Sequence, residues 1–339
     1  MLTRNLLENL EQACEVITKG YEMQTGGTSL QFGVLQLRDK KSQEIDIVRQ
    51  AAMLYDEYKG NEEYIHIPDI NQMLHNLQNY PVLGVWNKEN GELEGIVTIK
   101  YHDSAEKVDP YYPKEGVNFF SITGVIVKQR EGILHKGLGS NLYAASILGI
   151  QKYAEQCEDK NLEMNVVIDC TNLPSLYALN NANENIKARG LLGKGKELDS
   201  ILDAIYTVRD EEGHLVEAPT YVIKIPLTPK KIQEQEKENT TFSFSTTQEE
   251  PRHKQYEVLL GTILEEIKQD DMYVTTQMED EGTGTVTYIS VDNLNIRLED
   301  MKVDRNGAQN IGKKRVPRND VSKFVGPMPD FTNYIEDDR

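Results

Sequence analysis

Cysteine is scarce in this chain, with three residues in 339, at positions 14, 157 and 170. They are too few and too scattered for a disulfide framework or a zinc site. Free cysteines are among the most often buried residues, so reduced structural thiols are expected. Long apolar runs are missing as well. No stretch approaches the roughly 18 consecutive apolar residues that a membrane helix needs. The opening MLTRNLLENLEQACEVITKG carries acids at helical apolar spacing and lacks the apolar block and cleavage site of a signal peptide. A cytoplasmic protein without a membrane partner is expected. Positive charge is also short: 37 Lys and Arg stand against 55 Asp and Glu, a net −18. Such a surface repels nucleic-acid phosphates and favours cationic partners, or simply keeps the chain in solution. His66, His75, His102 and His214 show no ligand spacing, so no metal is expected.

What is present is unevenly organised. Residues 1–29 read as an amphipathic helix closed by Thr25-Gly26-Gly27-Thr28. A strand follows at 30–37, then a helix of about fifteen residues opening near Ser42, and a shorter helix over 69–77. Residues 82–86 and 93–100 flank a turn containing Asn90-Gly91, the preferred pair of a hairpin. Residues 117–127 pass from partial alternation to an almost unbroken apolar run, as a central strand does. A long helix fits 137–157, with Leu138, Leu142, Ala145 and Gly149 along one stripe. A strand at 164–169, a short helix at 174–180 and strands at 204–208 and 220–227 complete the series. That order predicts an α+β or mixed α/β fold for residues 30–227, with one β-to-α crossover between 117 and 157. Residues 228–250 have a linker composition, with Ile232, Phe242 and Phe244 as the large apolar residues. Residues 251–339 read as a C-terminal helix (251–272), a small hairpin-like unit (285–291 and 294–303) and a polar tail. An unpartnered helix of that kind suits the main domain or a second copy of the chain, so a homo-oligomer is one expectation.

The segment SITGVIVKQREGILHKGLGSNLY, from Ser121 to Tyr143, carries the most chemistry. A buried strand ends near Val127, a basic glycine-containing loop follows, and a helix opens at Gly137-Leu138-Gly139-Ser140. Glycines let backbone N–H groups approach a ligand, and a helix N-terminus supplies unpaired donors and partial positive charge. Both suit a pyrophosphate, with Arg130, His135 and Lys136 at the rim. A Walker loop requires Gly-Lys-Ser/Thr, where this chain has Gly139-Ser140-Asn141. A dinucleotide fingerprint places its third glycine where Leu142 stands, and the nine residues between Val127 and Gly137 exceed its tight first turn. Neither device fits. A glycine pair at a helix start also occurs as plain turn geometry.

Thr123-Gly124-Val125-Ile126-Val127, continued by Lys136-Gly137-Leu138-Gly139-Ser140-Asn141-Leu142, resembles the acetyl-CoA motif of the GNAT N-acetyltransferases. Val166-Val167-Ile168-Asp169-Cys170-Thr171-Asn172, followed by Pro174-Ser175-Leu176-Tyr177, resembles that family's next strand and helix start. The resemblance implies a central mixed sheet flanked by helices, and acetyl-CoA as co-substrate. It also implies that the backbone of Val125, Ile126 and Val127 binds the pantetheine arm like an added strand. Amides of His135, Lys136, Gly137, Leu138, Gly139 and Ser140 would cradle the pyrophosphate, and Asn172 would lie beside the pantetheine. Two positions depart from the pattern. Leu134 stands where the family has Arg or Gln, and Leu179 where it often has the tyrosine that protonates the CoA thiolate. Tyr177 is the nearest tyrosine and the candidate acid.

The implied reaction is acetyl transfer to an amine, which needs a proton acceptor for the amine and a donor for the oxyanion. Glu115 is the base candidate, with Glu94 on the facing hairpin as a second. A strand N–H near Val125 suits the oxyanion. The acceptor is an amine of a small molecule or a protein. Leu134 and Leu179 keep alive a different reading, a GNAT-like module that binds a partner without catalysis, and a transferase using a longer acyl group or an aminoacyl donor is a third.

Overall fold

The computed structural model describes residues 4–25, 27–35, 41–57, 70–102, 118–128, 137–157, 162–169, 172–198, 200–206, 212, 214–215, 219–231, 241–245, 254, 257, 260–261, 274–278, 283–288, 294–296 and 302–304. The chain opens with α1 (Arg4–Thr18), β1 (Glu22–Thr25), β2 (Thr28–Val34), α2 (Lys41–Asp56) and α3 (Ile70–Asn79). β3 (Val82–Asn87), β4 (Leu93–His102), β5 (Phe119–Val127), α4 (Leu138–Gln156), β6 (Glu163–Asp169) and α5 (Leu173–Ala188) follow. Then come β7 (Lys196–Glu197), β8 (Ser200–Tyr206), β9 (Thr220–Pro226) and β10 (Lys230–Lys231). The C-terminal strands are β11 (Thr241–Ser245), β12 (Val274–Met278), β13 (Thr283–Tyr288), β14 (Leu294–Ile296) and β15 (Lys302–Asp304).

The mixed α+β class expected from the sequence is what the molecule has. A ten-stranded sheet runs β1-β2-β3-β4-β5-β6-β9-β8-β14, with β15 also on β8. Its neighbours are antiparallel except β5 with β6, and β14 and β15 with β8. The parallel β5–β6 pair is the one joined through a helix, α4, as parallel strands require.

Two apolar layers cover the sheet. On one face α1, α4 and α5 pack against Leu83, Val85, Val97, Ile99, Phe120 and Ile122. α1 buries Leu7, Leu10, Ala13, Cys14 and Ile17, the 3–4 spacing of a single stripe. α4 lies between the sheet and its helical neighbours, so it is apolar nearly all round. On the other face α2 and α3 place Val48, Ala51, Leu54, Tyr55, Met73 and Leu77 against Val82, Leu93, Ile96 and Ile126.

Several boundaries differ from the sequence expectation. The division at 29/30 falls inside the β1–β2 hairpin, whose register runs from Glu22↔Gln31 to Thr25↔Thr28. α1 shares the main core, because its buried stripe needs the face that α4 provides. α5 runs well past the expected 174–180, since Ala182 and Ile186 continue the buried stripe of Ala178 and Leu179. Within the expected linker, Phe242 and Phe244 alternate with hydroxyl residues in β11, which pairs with β13. β13 pairs with β11 and β12, and residues 294–296 and 302–304 instead run parallel to β8. Leu260, on the C-terminal helix, is buried in the same core as α1 and α4. Cys14 is buried and Cys157 half-buried, both free thiols, and burial pushes the Cys14 thiol up; Cys170 lies outside the described residues.

Candidate functional site

The parallel pair β5–β6 holds register over only part of its length, from Phe119↔Glu163 to Ile122↔Val166. Beyond that point each strand follows a different neighbour. β6 continues along β9 to Asp169↔Thr220, while β5 continues along β4 to Gly95↔Val127. The two central strands therefore part company, and a gap opens in the sheet.

The cause is local. Along β4 the partners pass from Ile96↔Ile126 directly to Thr98↔Thr123, so Val97 faces both Gly124 and Val125. Such a bulge bends its strand and raises its twist. It needs one residue in an unusual conformation, and Gly124 supplies it with φ +61°. Exposure follows the bulge. Phe119 to Ile122 are buried, then Thr123 is half-buried, Gly124 exposed and Val125 half-buried, before Ile126 returns to the core. An accessible stretch in the middle of a central strand marks the mouth of a groove. The side chain of Ile126 is core, so only its backbone can serve a ligand.

Two helices begin at this end of the parallel pair. α4 follows β5, and its N-cap Gly137 sits in the left-handed region with φ 82° and no side-chain cap. The first amides of α4 thus keep their donors and the positive end of the dipole. α5 follows β6 and is capped conventionally: Asn172 Oδ1 accepts from the Ser175 amide at 3.2 Å. The first turn of α4 touches the second turn of α5, since a Cβ on Gly139 would meet the Ala178 Cβ at 3.5 Å. A hydrogen bond between the Tyr143 and Ser175 side chains ties α4 to α5, and burial pushes the Tyr143 hydroxyl up. In the first turn of α4, Ser140 is 4% exposed and its Oγ is buried without a hydrogen-bond partner, an arrangement proteins seldom leave uncompensated.

The residues singled out from the sequence divide as follows. Val125, Ile126 and Val127 lie on β5 at and beyond the bulge, while Gly137, Leu138, Gly139 and Ser140 form the uncapped start of α4. Asn172 is half-buried at the start of α5. These come together around the gap. Leu138 is wholly buried and can offer only its amide. Tyr177 lies on α5, with its side chain outside the described residues. Glu115, His135 and Lys136 lie outside the described residues altogether. Leu179 is 3% exposed and belongs to the core. Glu94 is 0% exposed, where β4 slips register against β3 between Val85 and Trp86, and its carbonyl accepts from the Lys128 amide at 2.7 Å. His102 stacks on Phe119 and shares a 2.9 Å hydrogen bond with Ser121 Oγ, a packing role. Among the described residues no group of three or more His, Cys, Asp or Glu is placed to hold a metal, and no helix is long and apolar enough to cross a membrane.

One residue at the gap was missed. Tyr55 of α2 is 5% exposed, and its hydroxyl lies 2.9 Å from where a Cβ on Gly124 would stand. It covers the bulge from the face opposite α4. Its place on the apolar stripe of α2 reads as core, which it is along most of its length; nothing in the spacing shows where its hydroxyl ends.

No family model and no curated protein matches the sequence. Among solved structures the chain is similar to an N-acetyltransferase from Staphylococcus aureus Mu50, at 11% identity and TM-score 0.34 over 58% of this chain and 97% of that one. It is also similar to a proposed acetyltransferase from Salmonella typhimurium with its cofactor acetyl-CoA, at 16% identity and TM-score 0.34 over 61% and 98%. A ribosomal-protein-alanine N-acetyltransferase from Brucella melitensis gives 18% and 0.31 over 53% and 94%. None of these likenesses carries a chemistry over to this chain.

Proposed function

We propose that the protein is an acyl-CoA-dependent N-acetyltransferase, with acetyl-CoA as donor and an amine as acceptor. The observation that carries this reading is the parting of β5 from β6 at Ile122↔Val166, with the uncapped start of α4 at its mouth. The edge of β5 from Thr123 onward offers main-chain groups to an extended amide-bearing arm, as an edge strand does to an added strand. The first amides of α4 suit a pyrophosphate, and the orphaned Ser140 Oγ adds a donor in the same turn. With Asn172 Oδ1 occupied as a cap, its Nδ2 would be the group left to donate to the pantetheine arm.

α4 and α5 lie on one face of the sheet at the gap and Tyr55 of α2 on the other. A donor whose phosphates rest on α4 would present its acyl end at the bulge, and the acceptor would arrive from the α2 face. Amides of the bulge around Gly124 and Val125 would hold the oxyanion of the tetrahedral intermediate. The acidic surface suits a cationic amine, of a small molecule or a protein.

The burial of Leu179 favours a second reading, a GNAT-like module that binds a partner without turnover, because no phenol stands at that family position. The test is a melting-temperature shift with acetyl-CoA, then a thiol-release assay over a panel of amines. Stabilisation with amine-dependent thiol release is expected. Stabilisation without release over a broad panel would favour the non-catalytic module. No shift with any acyl-CoA would remove the transferase reading, for acetyl and longer donors alike, and leave the partner-binding module.

A further inference from the structure

We infer that the Tyr55 hydroxyl is a hydrogen-bond donor to the acyl oxygen at the β5 bulge, a catalytic group supplied by α2 from the face opposite the CoA-binding helices. The inference rests on the acyl-CoA reading above and names a residue which that reading does not contain.

Three observations carry it. The hydroxyl stands 2.9 Å from the place of a Cβ on Gly124, so the missing side chain of the glycine is what lets the phenol reach the backbone of the bulge. The bulge is the one exposed point of β5, between buried Ile122 and buried Ile126. Tyr55 shares a buried cluster with Val48, Ala51, Leu54 and Ile126, so its ring sits in a packed core while its hydroxyl ends at the bulge. Burial alone pushes its pKa up, so it stays a protonated donor at neutral pH. A donor held opposite backbone amides is the arrangement that stabilises a developing oxyanion. Leu179, at the position where the resemblance places a phenol, offers no such group.

Tyr55→Phe keeps the ring and its packing and removes only the donor. In the full-length protein, kcat for acetyl transfer is expected to fall roughly 100-fold, with the acetyl-CoA KM changed by less than about threefold. A second readout needs no turnover: binding of the ketone analogue acetyl-dethio-CoA, which keeps the carbonyl, is compared with binding of CoA by calorimetry. Wild type should prefer the ketone, and Tyr55→Phe should lose that preference while binding CoA normally. Unchanged kcat and an unchanged ketone preference in Tyr55→Phe would overturn the assignment and leave the acyl-CoA reading standing. A wild type that binds neither molecule would overturn both. Should Tyr55→Phe fold poorly, Gly124→Ala, which forces the hydroxyl aside, must cause the same loss of ketone preference or the assignment fails.

Discussion

Gly124 is where a single residue has the most consequence. Its φ of +61° costs an L side chain about 1–2 kcal/mol, and a Cβ there also meets the Tyr55 hydroxyl at 2.9 Å. Gly124→Ala should therefore destabilise the protein by about 2 kcal/mol or more in urea titrations. The loss should shrink in the Tyr55→Phe background, because the strain remains while the clash is gone; equal losses in both backgrounds would contradict the geometry. Ser140 behaves oppositely. Its buried Oγ has no partner, so Ser140→Ala should leave the melting temperature unchanged or raised. It should also weaken CoA binding roughly tenfold, the worth of a hydrogen bond to a charged group. A drop in melting temperature with unaltered CoA affinity would place that hydroxyl in the fold instead of the site.

At the scale of elements, the site depends on two helices held side by side near their N-terminal ends. Asn172 caps α5 through the Ser175 amide, and Tyr143 of α4 bonds the Ser175 side chain. Asn172→Ala and Tyr143→Phe should each cost about 1 kcal/mol. Because both act on Ser175, the double variant should depart from additivity by more than about 0.5 kcal/mol; strict additivity in a denaturation cycle would mean the helices are not coupled there. Elements were also what the sequence showed best. The Asn90-Gly91 turn, the apolar run of β5 and the long stripe of α4 each follow a period that local residues impose. α5 was read short because its second half, Asn180 to Ala188, is rich in Asn and its few apolar residues pack only through tertiary contact. The parting of β5 from β6 was not legible, because Gly124 sits inside an apolar run and its bulge depends on register against β4. Tyr55 was hidden for the same reason: a stripe tells which face is buried, not what the far end of a long side chain touches.

For the whole molecule, burial of titratable groups sets how stability changes with pH. Tyr21, Tyr55 and Tyr143 all have hydroxyls pushed up mainly by burial. A raised folded value means that the unfolded chain loses these protons first, near its ordinary value of about 10. Stability should then be intact below about pH 10 and fall as pH rises past it. Thermal unfolding followed from pH 8 to 11 should show a steep alkaline loss, reduced in Tyr55→Phe; a flat profile would mean these rings are more open than the structure has them. The same whole-molecule view explains the layout of the site. The β5–α4–β6 crossover sets α4 and the α5 start on one face, the bulge interrupts the register of β5 with β4, and α2 covers the other face. The most direct measurement is hydrogen exchange of β5 with and without saturating CoA. Amides of Gly124 and Val125 should exchange readily in the free protein and become protected when CoA is added, together with the first turn of α4. Exchange at those amides that is unchanged by CoA would contradict the account at its centre.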